Sequence, residues 1–161
     1  MMSPEIREFP GKLLAGVCRR TSFVNDLTSE LWREFRSLEG EIEGRVGGES
    51  YSVKVYDSAY SFLEFDPAAE FDKWAAAEVV ITYDGLETMK IPAGKYAVFA
   101  HKGPAAEAPR TFGYIFGEWL LNSEYELDLR PHFEVLPKDY NPFDPNAEEE
   151  IWIPIRAKVS I

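Results

Sequence analysis

The hydrophobic pattern of this chain runs twice through one order of elements, strand, helix, strand, strand, and that repetition limits the fold more than any other feature. In the first pass Lys12 to Arg19 is an apolar stretch suited to a buried strand. Leu27, Leu31, Phe35 and Leu38 then recur at spacings of four, four and three, the stripe of an amphipathic helix over Asp26 to Leu38 with Asn25 or Asp26 as N-cap. Tyr51, Val53 and Val55 alternate with Ser52, Lys54 and Tyr56, as a half-buried strand requires, and Trp74 to Thr82 supplies the next strand. After a Tyr83-Asp84-Gly85 turn the order returns. Met89 to Ile91 and Lys95 to Lys102 read as strand, with a bulge or kink at Pro92-Ala93-Gly94. Phe112, Ile115, Phe116, Trp119 and Leu120 form a second helical stripe. His132 to Leu136 and Glu149 to Ile155 are the closing strands, separated by the Pro137 to Ala147 loop.

Gly11-Lys12 recurs as Gly94-Lys95, 83 residues later. The expectation is one α+β domain over 1–161, built from duplicated βαββ units at about 5–83 and 85–158. Pseudo-twofold symmetry, antiparallel sheets, two helices on one face and a ligand groove between the halves follow from that arrangement.

Composition narrows the partners. A formal charge of −11 opposes a phosphate-backbone partner, whose binding rests on Lys and Arg, and favours cationic over anionic ligands. Cys18 is the only cysteine, so no disulfide framework or multi-thiolate site forms within one chain, which suits a reducing cytoplasm. No apolar run approaches the roughly 18 residues of a membrane span. His101 and His132 have no ligand-spaced partners, so no metal is expected. No phosphate loop, nucleotide fingerprint or nucleophile elbow is present, and no cofactor is expected.

The last strand carries the most specific site information. Ile151, Ile153 and Ile155 point one way, so Glu150, Trp152 and Pro154 point the other. A carboxylate beside an indole is poorly solvated, which raises its pKa and suits it to a cationic ligand or to acid-base work. Alternatively, Glu148 to Glu150 is a solvated charge run. In the first half Trp74 and Glu78 share a strand face, which would bring two Trp/Glu pairs toward one cleft. Tyr56, opposite Val53 and Val55, is placed with Trp74 and Trp152. Aromatic walls with a carboxylate bind amphipathic cations. The aromatic loop Asp57 to Lys73 is either a lid or an ordinary surface excursion. Periodicity puts Trp119 in the core, and Gly113 and Gly117 in the same helix suggest that another element approaches closely.

The segments Ile91-Pro92-Ala93-Gly94-Lys95-Tyr96-Ala97-Val98-Phe99, Lys102-Gly103-Pro104, Tyr114-Ile115-Phe116-Gly117-Glu118-Trp119-Leu120, Phe133-Glu134-Val135 and Glu149-Glu150-Ile151-Trp152-Ile153-Pro154-Ile155 resemble the GyrI-like family, the effector-binding domain also fused to AraC-type and MerR-type regulators. The resemblance implies a duplicated SHS2-type fold whose groove binds lipophilic, often cationic compounds, with a central glutamate on the last strand. By motif position that glutamate is Glu150, and Trp119 becomes a groove wall. Regulators in this family carry a separate helix-turn-helix domain. Here the fold begins by about Lys12, so direct DNA binding is not expected.

The expected function is therefore binding of an amphipathic small molecule by Tyr56, Trp74, Glu78, Trp119, Glu150 and Trp152. The alternative is hydrolysis of reactive lipophilic electrophiles, with Glu150 activating water and Tyr56 donating a hydrogen bond. A protein-binding inhibitor module is the third reading.

Overall fold

The computed structural model describes residues 3–58, 60–62, 64, 66–81 and 85–159. Its strands are β1 (Glu5–Phe9), β2 (Lys12–Thr21), β3 (Ser50–Val55), β4 (Phe71–Glu78), β5 (Glu87–Ile91), β6 (Gly94–Lys102), β7 (Tyr125–Leu127), β8 (His132–Leu136) and β9 (Glu148–Ala157). Helix α1 spans Thr28–Leu38. Helix α2 begins at Ala108–Tyr114, with Pro109 in its first turn, and continues through a π-helical turn at Ile115–Trp119 into a last turn at Leu120–Asn122.

The antiparallel sheet has the order β1-β6-β9-β8-β3-β4-β2-β5, with β7 added beside β9. This order reads the same from both ends once β1 is matched to β5, β2 to β6, β3 to β8 and β4 to β9, so the symmetry axis passes between β3 and β8. Each half also begins with a strand that pairs in the other half: β1 lies on β6 and β5 on β2. The sequence pattern missed β1 because Glu5-Ile6-Arg7-Glu8-Phe9 is largely charged, as an edge strand is. The β1–β2 and β5–β6 junctions meet where Gly11, at φ 86°, brings its Cα toward Ala93; a Cβ there would lie 3.2 Å from the Ala93 nitrogen. Gly11 therefore marks the crossing of the two halves, whereas Gly94 makes room for the Arg130 guanidinium.

Alternation along the strands sorts side chains onto two faces. One ladder row runs Ala75, Ser52, Glu134, Ile151 across β4, β3, β8 and β9. The next row runs Trp74, Val53, Phe133, Trp152 on the opposite face. Both helices pack on the first face. Leu31 and Phe35 of α1 are fully buried on Val17, Ala75 and Ala77, whose small side chains let the helix sit close. Ile115 of α2 rests on Phe99, Ile151, Ile153 and Ile155. The opposite face is filled by the curled sheet itself, with Phe9, Leu14, Tyr51, Tyr96, Phe133 and Trp152 at its centre.

Several boundaries differ from the pattern-based ones. Asp26 is not the N-cap; its Oδ1 accepts from the Thr28 amide at 3.0 Å and hydroxyl at 2.5 Å, so it leads the chain into α1 by a turn. Strand β4 starts at Phe71 and ends at Glu78, and the expected Thr82 end and the Tyr83-Asp84 turn lie outside the described residues. No helix among the described residues is long and apolar enough to cross a membrane.

Candidate functional site

Each helix packs on the outer strands of its own half, α1 on β2 and β4, α2 on β6 and β9, so neither covers the central pair β3 and β8. A groove of about 1160 Å³ is left between the helices, on the helix face of the sheet. Its floor carries Ser52, Lys54, Lys73, Glu134, Leu136 and Glu149. One wall is Trp32 and Arg36 of α1; the other is Phe112, Gly113, Phe116, Gly117 and Leu121 of α2. Tyr56, Tyr60 and Phe62 close one end, and Tyr140, Pro142 and Phe143 stand at the other.

The aromatic end is cohesive. The Tyr56 ring lies 4.5 Å from Tyr60 and 4.9 Å from Phe62, and Phe62 stacks on both Phe116 and His132, at 5.0 and 5.5 Å. The described part of the Asp57 to Lys73 loop thus folds over the groove and reaches α2; Phe65 lies outside the described residues. The base of the loop is tied by Arg20, which donates to Asp57 and Asp72. Burial, with the charges of Lys54 and Arg130, pushes the His132 imidazole down to about 3, so it is a neutral ring at ordinary pH.

The polar end is built around Glu149, which is 5% exposed. Tyr140 donates to its Oε2 at 3.1 Å, whereas Oε1 is buried and, among the described residues, accepts from no donor. Burial and the neighbouring Glu134 carboxylate push the Glu149 carboxyl up to about 8, so it holds a proton at neutral pH. Lys54 lies 3.5 Å from Glu134 and 4.4 Å from the centre of the Phe112 ring. Burial opposes its charge, but Tyr56 and Glu134 overcome that and hold its pKa above the ordinary value. Lys73 donates to Thr28 Oγ1 at 2.9 Å, and burial with the Lys54 charge pushes it down to about 8. The groove therefore carries both signs of charge rather than a lone carboxylate.

Of the six residues expected at the site, the structure brings only Tyr56 into this groove. Trp74 and Trp152 lie in one row on the opposite face, separated by Val53 and Phe133, and Trp152 is a 9% exposed member of the core there. Glu150 accepts from the Trp152 indole at 3.2 Å and pairs with Arg7 at 3.4 Å, on that same face. Glu78 pairs with Lys12 at 3.2 Å. Trp119 packs edge-on against Phe99 at 5.1 Å, beneath α2, which agrees with the periodicity and not with a groove wall. Nor are the two Trp/Glu pairs symmetry mates: the ladder partners Leu14–Glu78 and Tyr51–Ala76 recur as Tyr96–Pro154 and Phe133–Trp152. Gly113 and Gly117 face open space, where a Cβ would meet nothing within 4 Å. Among the described residues no element approaches them, and they line the groove.

The alternation that separates Ile151 from Glu150 also places Glu149. Glu149 has the parity of Ile151 and so belongs to the helix face. Glu149, not Glu150, is therefore the last-strand glutamate that lines this groove. Lys54, Lys73, Glu134 and Tyr140 were missed, and of these Lys54 and Glu134 were recoverable from strand parity. Among the described residues no cluster of three His, Cys, Asp or Glu could hold a metal ion.

Comparison with known proteins places this geometry. The transcriptional regulator BrlR of Pseudomonas aeruginosa is 30% identical over 158 residues, covering 96% of this chain and 56% of that protein, so the chain spans little more than half its relative. SAV2435, solved bound to tetraphenylphosphonium, superimposes with a TM-score of 0.73 at 12% identity, over 96% of this chain and 94% of that one. The C-terminal domain of EcmrR superimposes with a TM-score of 0.71 at 14% identity, over 98% and 99%. The family model of the GyrI-like small-molecule-binding domain matches residues 2–156, so the chain belongs to the GyrI-like family.

Proposed function

We propose that the groove between α1 and α2 binds amphipathic aromatic molecules, cationic ones included, with aromatic rings against Trp32, Phe62, Phe112 and Phe116 and the polar head against Glu134 and Glu149. The observation that carries this reading is the pair of carboxyl groups, Glu134 and Glu149, side by side at the groove floor with Glu149 buried. Two neighbouring carboxyl groups in a buried site cannot both ionise cheaply, and a ligand cation offsets the second charge. Rings whose faces attract positive charge line the same groove. The role assigned to Glu150 by motif position passes to Glu149, and Tyr56 acts as a wall of the aromatic end.

Titration calorimetry with tetraphenylphosphonium tests the assignment. Glu149→Gln is expected to weaken binding by roughly 10- to 100-fold, the worth of a close charge–charge contact in a desolvated site. Glu150→Gln, whose carboxylate faces Arg7 on the other side of the sheet, is expected to bind as the wild type does. The opposite pattern, Glu150→Gln impaired and Glu149→Gln unchanged, removes the groove assignment.

A further inference from the structure

Lys54 and Lys73 are directly opposed in the β3–β4 ladder and both line the groove. Like charges in that relation repel. Glu134 relieves Lys54 at 3.5 Å, whereas among the described residues Lys73 has no ion-pair partner and bonds to a hydroxyl instead. The Thr28 hydroxyl gives its own proton to Asp26 Oδ1, so its oxygen is an acceptor toward Lys73. One N–H satisfies that contact. A neutral amine at Lys73 keeps its lone pair for the groove, in an apolar site next to a second cation, the setting that activates lysine nucleophiles.

We propose that Lys73 is a covalent capture site, taking amphipathic aromatic aldehydes as a reversible imine; this rests on the groove being the small-molecule site. The Lys73 lone pair forms the N–C bond while the carbonyl π pair moves to oxygen, which takes up the proton released by nitrogen. The C–O bond of this carbinolamine then breaks as its hydroxyl accepts a proton from the Lys54 ammonium and leaves as water. Lys54 recovers that proton from the iminium nitrogen. The net change is loss of one water, with no oxidant or reductant consumed. The depressed pKa of Lys73, about 8, supplies a working fraction of free amine near neutrality.

The whole chain, incubated with cinnamaldehyde and cyanoborohydride and mapped by peptide mass spectrometry, provides the test. One adduct is expected, on Lys73, forming at least about tenfold faster than on any other lysine. Lys73→Met abolishes it, with thermal unfolding confirming that the variant folds, and tetraphenylphosphonium competes with it. The rate of labelling follows a pH profile with its midpoint near 8 in the wild type. In Lys54→Met the midpoint moves upward, because one neighbouring positive charge is gone. Labelling spread over exposed lysines and indifferent to Lys73→Met overturns the capture site. If tetraphenylphosphonium still binds in that case, the groove assignment stands alone; if it does not, both fall.

Discussion

Glu149 holds its proton for two reasons that a ligand can reverse: it is buried, and it faces Glu134. A cation arriving at the floor competes with that proton. Affinity for tetraphenylphosphonium is therefore expected to rise with pH up to about 8 and then level off, by at most roughly tenfold per pH unit below that point. A neutral aromatic probe should show no such slope, and calorimetry of the two probes between pH 6 and pH 9 checks the contrast. Folding responds with the opposite sign. A carboxyl raised from an ordinary 4.5 to about 8 contributes stability that is present below 4.5 and lost as pH rises through 8. Urea unfolding should therefore show Glu149→Gln gaining on the wild type between pH 5 and pH 9, although the same variant binds the cation less well. His132 acts at the other end of the scale: lowered from 6.5 to about 3, it contributes stability present above 6.5 and lost as pH falls through 3. Strand parity made Glu149 legible, since it shares the face of Ile151. Its pKa was not legible, because that depends on Glu134 and Tyr140, which arrive from a different strand and from a loop.

At the level of elements, helix α2 is shaped as much for the groove as for the core. Its Ile115 and Trp119 side points down onto Phe99 and Ile151, while Gly113 and Gly117 open the wall. Glycine within a helix costs about 1 kcal/mol relative to alanine, and among the described residues no close packing explains it. Gly117→Leu is expected to fold at least as stably as the wild type, with a thermal midpoint unchanged or a few degrees higher, and to lose tetraphenylphosphonium binding by more than about tenfold through occlusion. A variant that lost cooperative unfolding instead would show that the glycine serves packing. Both helices were legible from their stripes, and so was the core position of Trp119. The groove face was not, because it depends on how far apart the helices sit over β3 and β8, and no local pattern encodes that spacing.

Across the whole molecule, the duplication was readable in the order of elements, but the exchange of β1 and β5 between the halves was not. Charged edge strands carry little periodic signal, and their partners lie far along the chain. That exchange explains why the helix-free face is a core and not a cleft: it brings Phe9 against Tyr96, Phe133 and Trp152 at 5.0 to 5.6 Å. Phe9→Ala is accordingly expected to cost about 3–5 kcal/mol in denaturant unfolding, the range for a buried phenylalanine. Trp152 thereby lies in that core with Trp74 packed against it, and of the four tryptophans Trp32 alone among the described residues lines the groove. The emission of these indoles separates the two faces directly. Titrated with tetraphenylphosphonium, the wild type should be quenched and Trp32→Phe should lose that quench while binding persists by calorimetry; a quench that survives in Trp32→Phe would put the ligand on the other face, beside Trp74 and Trp152.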